Sequence, residues 1–342
     1  MESFNVEWTS GEQGMTTGNS AALNAGRLAS LTTTAGQVKA AIDAGKDIIN
    51  SVTELHSAVM KLYGAFEGAK AFGDRHRTLE LIIVNATSHR LVWEGSFFDS
   101  GTTFAGPAPM NIDPIDELHP IGATLWTVAN GQGSIMTGVS GAGKWRIEGT
   151  RFALDIGFTN PQFGGFKSEI GVVGAGAPVR LAYDACDNVE AKQYEVLGFN
   201  VAVYADQAAA GGDRRFVYCI TEARQDAQAN RGDTLKAGEY LTPGQFLISR
   251  NGAFAASYQE KDGNLVVSDL NSLHKSVWAS STSFHNAWRC GLDAQGKFST
   301  LEGEGQAVWS ASASAPGSYV TLSDEGVLSV YDEANNPVWS SR

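Results

Sequence analysis

Basic blocks are missing from this chain. Of its 342 residues, 25 are Lys or Arg against 37 Asp or Glu, giving a net charge of -12. With no basic stripe to neutralise phosphates, the composition argues against nucleic acid as a partner and against attachment to anionic lipid by charge alone. Cysteine is scarce: Cys186, Cys219 and Cys290 stand far apart, no C-x-x-C occurs, and their number is odd, which argues against a disulfide framework. Buried free thiols fit this usage, with a Cys186–Cys219 pair left open. Proline is scarce too, 9 residues against 39 glycines, which favours many tight turns and short strands. No run of about 18 apolar residues exists, so no constitutive transmembrane helix is expected. The start, MESFNVEWTSGEQGM, lacks a basic n-region and an apolar h-region. The expectation is a soluble protein made without a signal peptide that acts extracellularly, at the membranes of target cells. The histidines show no metal spacing and no G-x-S-x-G elbow occurs. Asp113, Asp116 and Glu117 share one Pro-bounded loop and read as solvated rather than as a Ca²⁺ site. No enzyme, metal or cofactor is implied.

The stretch GVSGAGKW, residues 138–145, comes one residue short of a phosphate-binding loop. Gly138, Gly143 and Lys144 fit G-x-x-x-x-G-K-[ST], but Trp145 replaces the hydroxyl that holds magnesium. The following KWRIEGTRFALDIGF reads as strands, so no helix start gathers backbone N–H groups there. The stretch is therefore expected to be a turn between two strands. GVVGAG at 171–176 is likewise followed by no apparent helix.

What is present falls into three stretches. From Leu28 to Phe66, apolar residues recur at 3-4 spacing, including Val38, Ile42, Ile49, Val52 and Val59. The opposite side carries Gln37, Lys39, Asp43, Lys46, Asp47, Glu54 and Lys61. At ~1.5 Å per residue such a helix spans roughly 60 Å, about twice a bilayer core. Two readings stay open: a long helix packed on another domain or a partner chain, or an amphipathic helix that leaves its packing and enters a membrane. Residues 77–221 are short β-branched or aromatic runs separated by Gly, Asn, Asp and Pro, from RTLELIIVNAT to RRFVYCITEA, with PVRLAYDA counted among them. They predict an all-β sandwich or barrel of about ten strands. The last 110 residues repeat with a period near 30. Val277-Trp278, Val308-Trp309 and Val338-Trp339 each follow a Gly-centred hairpin. Three copies of one sheet unit imply pseudo-threefold symmetry with the Trp residues meeting in a shared core.

YLTPGQFLISRNGAFAASYQEKDGNLVV resembles the opening strands and first hairpin of the bulb-type mannose-binding lectins, and the resemblance extends over about residues 233–342. It implies a β-prism of three four-stranded sheets with sugar sites of the form Q-x-D-x-N-x-V-x-Y. The first such position here reads Glu260, Asp262, Asn264, Val266, Ser268. The second reads Asp293, Gln295, Lys297, Ser299, Leu301 and matches nowhere, and the third keeps only Tyr331. Glycan binding is thus implied at the first repeat, through Glu260, Asp262, Asn264 and Val266.

Residues 76–221 resemble the actinoporin-like cytolysins, in three stretches taken in order: LELIIVNATSHRLVWEGSFFDSGTTFAGPAP, GSIMTGVSGAGKW and RFALDIGFTNPQFGGFKSEIGV. The resemblance implies a β-sandwich with a lipid-headgroup pocket, mapping to Ser100, Val139, Ser140, Thr159, Pro161, Tyr194 and Phe199. In place of the family's aromatic rim stand Phe158, Phe163 and Phe166, which implies apolar insertion of a loop more than headgroup selectivity. The helical stripe sits where that family carries its inserting segment.

The fold expected is mainly β: a flexible, amphipathic helical segment over 1–75, an actinoporin-like sandwich over 76–225 and a lectin-like prism over 226–342. The function expected is a pore-forming cytolysin whose partners are membrane lipids, glycans or glycoproteins of target cells, and its own copies in the pore. The alternative is a non-lytic lectin or adhesin whose helix mediates oligomerisation.

Overall fold

A computed structural model describes residues 77–104, 111–114, 122–131, 137–188, 191–206, 214–223, 229–273, 275–283, 285, 287–303 and 305–342. The stripe over 28–66, with Val38, Ile42, Ile49, Val52 and Val59, lies outside them.

The first strand shows why the sequence builds layers. In β1 (Thr78–Ala86), Leu79, Leu81 and Ile83 point to one face while Ile82 and Val84 point to the other, and all five are buried. Around it come β2 (Leu91–Ser100), β3 (Thr102–Thr103), β4 (Ala123–Ala129), β5 (Val139–Ile147), β6 (Phe152–Asn160) and β7 (Lys167–Gly174). A one-turn helix α1 (Leu181–Asp184) precedes β8 (Asp187–Asn188), β9 (Ala191–Val196), β10 (Phe199–Asp206) and β11 (Arg214–Glu222). One sheet runs β3-β4-β1-β11-β10-β9, with β1 and β11 parallel; the other runs β2-β5-β6-β7-β8. Between them Trp93, Trp126, Trp145, Phe98 and Phe158 meet edge to face at 4.7–6.3 Å. The outer face of the six-stranded sheet carries a second buried apolar group, Ile82, Val84, Val217 and Cys219, with Leu125 and Tyr204 against it.

GVSGAGKW corrects its expectation: from Val139 it is the buried interior of β5, not a turn. Its glycines make room for aromatic rings, since a Cβ on Gly143 would lie 2.5 Å from Trp126. Lys144, on the outer face, donates to the carbonyls of Ala175 and Ala177 at 2.5 and 2.7 Å and pairs with Glu94 at 3.3 Å. It pins the segment after β7 instead of holding a phosphate. PVRLAYDA is likewise not a strand but contains α1. That turn seats on Gly157, where a Cβ would come within 2.3 Å of the Ala182 backbone, and Asp155 accepts the Ala182 N–H at 3.0 Å. All three cysteines are free, so the open Cys186–Cys219 pair is not made.

The remaining chain threads β12 (Thr234–Lys236), β13 (Tyr240–Leu241) and β14 (Phe246–Ile248) as edge strands of three different sheets. Each sheet is then completed by a run of three strands. β15 (Phe254–Tyr258), β16 (Leu265–Asp269) and β17 (Lys275–Ala279) join β14. β18 (Ala287–Leu292), β19 (Lys297–Glu302) and β20 (Gln306–Ser314) join β13. β21 (Tyr319–Leu322), β22 (Leu328–Tyr331) and β23 (Pro337–Ser340) join β12. Trp278, Trp309 and Trp339 meet pairwise at 5.5–5.7 Å, the shared core that the repeat predicts.

The two sheet units are fused by packing. Phe246, Ile248, Ala255 and Leu270 belong to the same buried core as Phe152, Leu197 and Phe199. The loop between β16 and β17 rests on β7, where Gly174 N–H donates to the Leu270 carbonyl at 3.2 Å. A Cβ on Gly171 would lie 2.5 Å from Leu273, and one on Gly174 would lie 2.9 Å from the Gly252 carbonyl. Leu273 holds φ 45, a left-handed conformation that costs a leucine roughly 1–2 kcal/mol and is kept by the surrounding contacts. Arg151 donates across the same junction to the carbonyls of Ser249 and Arg250.

Two outcomes follow. Gly174→Val forces the junction apart, so scanning calorimetry should show the thermal transition lowered and split, at a cost of about 1–3 kcal/mol. Burial raises the Asp155 carboxyl from the usual range to about 7, against the lowering effect of the Ala182 N–H and Lys144. The folded state therefore holds a proton that the unfolded chain releases near pH 4. This contribution is complete below about pH 4 and is lost as pH rises through about 7. Asp155→Asn should flatten that slope in urea melts taken from pH 4 to pH 8.

Candidate functional site

The β15–β16 hairpin is built by its own polar residues. Gly263 takes φ 66, Gln259 N–H donates to the Asn264 carbonyl at 2.8 Å, and Asp262 Oδ1 accepts the Asn264 N–H at 3.2 Å. Asn264 is buried. Its Oδ1 accepts from Ser280 Oγ at 2.9 Å and Thr282 N–H at 3.1 Å, so the side chain staples the hairpin to the segment after β17. Of the first-repeat residues, Asn264 is thus structural, while Glu260, Asp262, Val266 and Ser268 face a common cleft. The second repeat is spent on itself: Asp293 Oδ1 accepts the Gln295 and Lys297 N–H groups, and Ser299 and Leu301 are buried. In the third, Tyr331 stacks on Tyr319 at 5.4 Å and 15°.

The cleft, of about 730 Å³, has a second wall that belongs to the sandwich: Glu169 of β7 and Lys192, Gln193, Tyr194, Glu195 and Val196 of the edge strand β9. Lys192 Nζ lies 2.8 Å from Glu169 Oε2, and the Tyr194 hydroxyl donates to Glu169 Oε1 at 3.1 Å. Burial, with Glu169 adding, pushes the Tyr194 phenol upward. Gln193 Oε1 and the Tyr258 hydroxyl lack a hydrogen-bond partner among the described residues, but both are buried from solvent, and Tyr258 packs in the core of the three-sheet unit. Two lining residues, Leu197 with φ 53 and Leu273 with φ 45, are leucines in the left-handed region. Backbone strain of this kind clusters at functional sites.

The residues mapped to a lipid pocket separate into groups. Ser140, Thr159 and Lys167 stand opposite one another across β5, β6 and β7, and Ser100 pairs with Ser140 from β2, its Oγ donating to the Gly138 carbonyl at 2.8 Å. Tyr183 of α1, which the sequence reading missed, bonds both Ser140 and Asp99; burial and Asp99 raise its phenol. Val139, Phe158 and Phe199 are corrected: at 0%, 0% and 5% exposure they are core residues and cannot touch lipid. Tyr194 lines the cleft. Phe166 packs against the core, and Thr159 and Pro161 are half-buried. Phe163 is 82% exposed at the tip of the β6–β7 loop, which Arg77 anchors by donating to Asn160 Oδ1 and the Gln162 carbonyl. Among the described residues no cluster of three metal-ligating side chains occurs.

These contacts sort the first repeat by experiment. Asn264→Ala strips the acceptor from Ser280 and Thr282 and should destabilise the protein by about 1–3 kcal/mol in urea melts. Glu260→Ala, at an exposed position, should leave stability within about 0.5 kcal/mol.

No protein-family model matches the chain, and no curated protein matches it. Among solved structures, part of it is similar to a Japanese Marasmius oreades lectin, at 22% identity over 33% of this chain and 93% of that one, TM-score 0.30. It is also similar to a monomeric monocot mannose-binding lectin from Gastrodia elata, at 29% identity over 32% of this chain and 96% of that one, TM-score 0.28. A third similarity, to the lipid binding protein Nakanori, is at 13% identity over 55% of this chain and 87% of that one, TM-score 0.37.

Proposed function

We propose that this is a binding protein, not an enzyme, which attaches to glycan-bearing membranes through the first-repeat cleft. The observation that carries the reading is the cleft itself, which Glu260, Asp262, Val266 and Ser268 line on one side and the edge strand β9 on the other. Hydroxyl-rich ligands suit such a lining, because each ring offers donors and acceptors in alternation with apolar C–H faces. Phe163 supports a second contact: a large exposed ring on an anchored loop fits the apolar boundary of a bilayer.

Membrane breach by self-assembled copies is the sharper part of the proposal. In it, the amphipathic stripe over 28–66 enters lipid after docking, its polar side then facing water in an oligomer. The support is the 3-4 spacing of apolar residues over that stretch, with charged residues on its other side. Among the described residues no helix is long and apolar enough to cross a membrane. The rival reading, a non-lytic adhesin, has the same cleft and no release.

Dye-loaded vesicles carrying mannosylated lipid separate the two. The proposal expects leakage by the full chain, and at least about tenfold less leakage from Phe163→Ser with glycan binding intact. Surface binding without leakage leaves the adhesin and removes the pore.

A further inference from the structure

The sheet β13-β18-β19-β20 keeps nothing of the sugar pattern of its repeat, yet its outer face is built around a cation. We infer that Arg289, with Tyr240 and Trp288, forms a second ligand site, one that takes a sugar bearing a carboxylate, such as a sialylated or uronic chain. This site lies on a different sheet from the first-repeat cleft and does not depend on the reading of that cleft.

The placement follows from the strand pattern. Cys290 and Leu292 of β18 belong to the core of the three-sheet unit, so Arg289 and Gly291 point outward. Tyr240 of the edge strand β13 pairs with Gly291, where a Cβ would lie 3.0 Å from the Tyr240 ring, so the bare glycine lets the ring approach the face. The β18–β19 ladder shifts register between Ala287 and Arg289. Trp288 sits at that irregularity, freed from strict alternation, and is 44% exposed. The Arg289 guanidinium lies 4.4 Å from the Tyr240 ring centre and 4.3 Å from that of Trp288. Contact with two rings orders the guanidinium before any ligand arrives.

These rings are its contacts among the described residues, where no hydrogen bond or ion pair engages Arg289. Of its nitrogens only Nε is buried without a partner, so the two terminal amino groups are the ones a ligand meets. Neighbouring carboxylates are turned to other groups. Asp293 Oδ1 accepts the Gln295 and Lys297 N–H groups, Glu239 Oε2 accepts the Lys236 N–H at 2.7 Å, and Glu302 lies 3.7 Å from His285. Lys297 is exposed on the outward side of β19, four residues before the Leu301 that pairs with Arg289. It adds a second cation roughly 14 Å along the same face. A planar guanidinium meets a carboxylate through two parallel hydrogen bonds, and an exposed indole offers the apolar side of a sugar ring a surface to stack on.

The test puts the full chain on an array of sialylated lactosamines, glucuronate oligosaccharides and the neutral parent chains, followed by titration with the acidic chain that binds best. The sialylated and glucuronate arms identify the source of the carboxylate. Wild type should bind acidic chains at least about tenfold more tightly than their neutral parents, the gain expected from hydrogen bonds to a charged group. Arg289→Ala should remove that preference with the melting temperature unchanged. Arg289→Lys should lose most of it, because an ammonium keeps the charge without the two-pronged geometry. Trp288→Ala, at an exposed position, should weaken the same titration and gives a second reading if Arg289→Ala fails to fold. Equal binding of acidic and neutral chains by wild type overturns the inference, as does no acidic binding at all. So does wild-type affinity in both Arg289→Lys and Trp288→Ala. A parallel titration with mannotriose keeps the two sites apart: no mannotriose binding alongside retained acidic binding removes the cleft reading and leaves this site standing.

Discussion

Two glycines on one strand govern the relation between the halves of this molecule. Gly171 and Gly174, three residues apart and so on opposite faces of β7, leave room for the loop that carries Leu270 and Leu273. A side chain at either position would meet Leu273 or the Gly252 carbonyl inside van der Waals contact. Close approach without side chains lets the two cores merge, so that Phe152 packs on Phe246 at 5.9 Å. The strain held in Leu273 is maintained by this packing. The sheet units therefore do not move as beads on a string. Whatever one of them binds at the junction, the other touches.

This constraint changes the meaning of a worn repeat. Three copies of one sheet unit present three equivalent hairpin positions, by symmetry. Here the second copy uses its aspartate to close its own turn, and the third stacks its tyrosine on a neighbour. The first alone stands against β9. Glu260 and Ser268 share the cleft there with side chains of the sandwich.

The layered β architecture was legible because it depends on local signals. β-branched runs, Gly-centred hairpins and the Val-Trp repeats each act over a few residues, and they place the three-Trp core correctly. GVSGAGKW misled because its glycines serve the rings of Trp126 and Phe158, which arrive from elsewhere in the chain. PVRLAYDA misled because α1 is set by Asp155 and the bare surface of Gly157, not by its own propensity. Of the mapped lipid residues, Phe163 is exposed whereas Phe158 and Phe199 are core; in strands buried on both faces, no alternation distinguishes them. The sandwich wall of the cleft left only a faint trace, the polar run AKQYEV. A polar edge strand is ordinary, and only the fold shows what it faces.

The central claim is that one ligand touches both sheet units at once, and amide hydrogen exchange on the full chain tests it most directly. With mannotriose bound, the account predicts slowed exchange both in the hairpin over 259–268 and in β9 over 191–196. Slowing confined to the hairpin, with β9 exchanging as in the free protein, would contradict it.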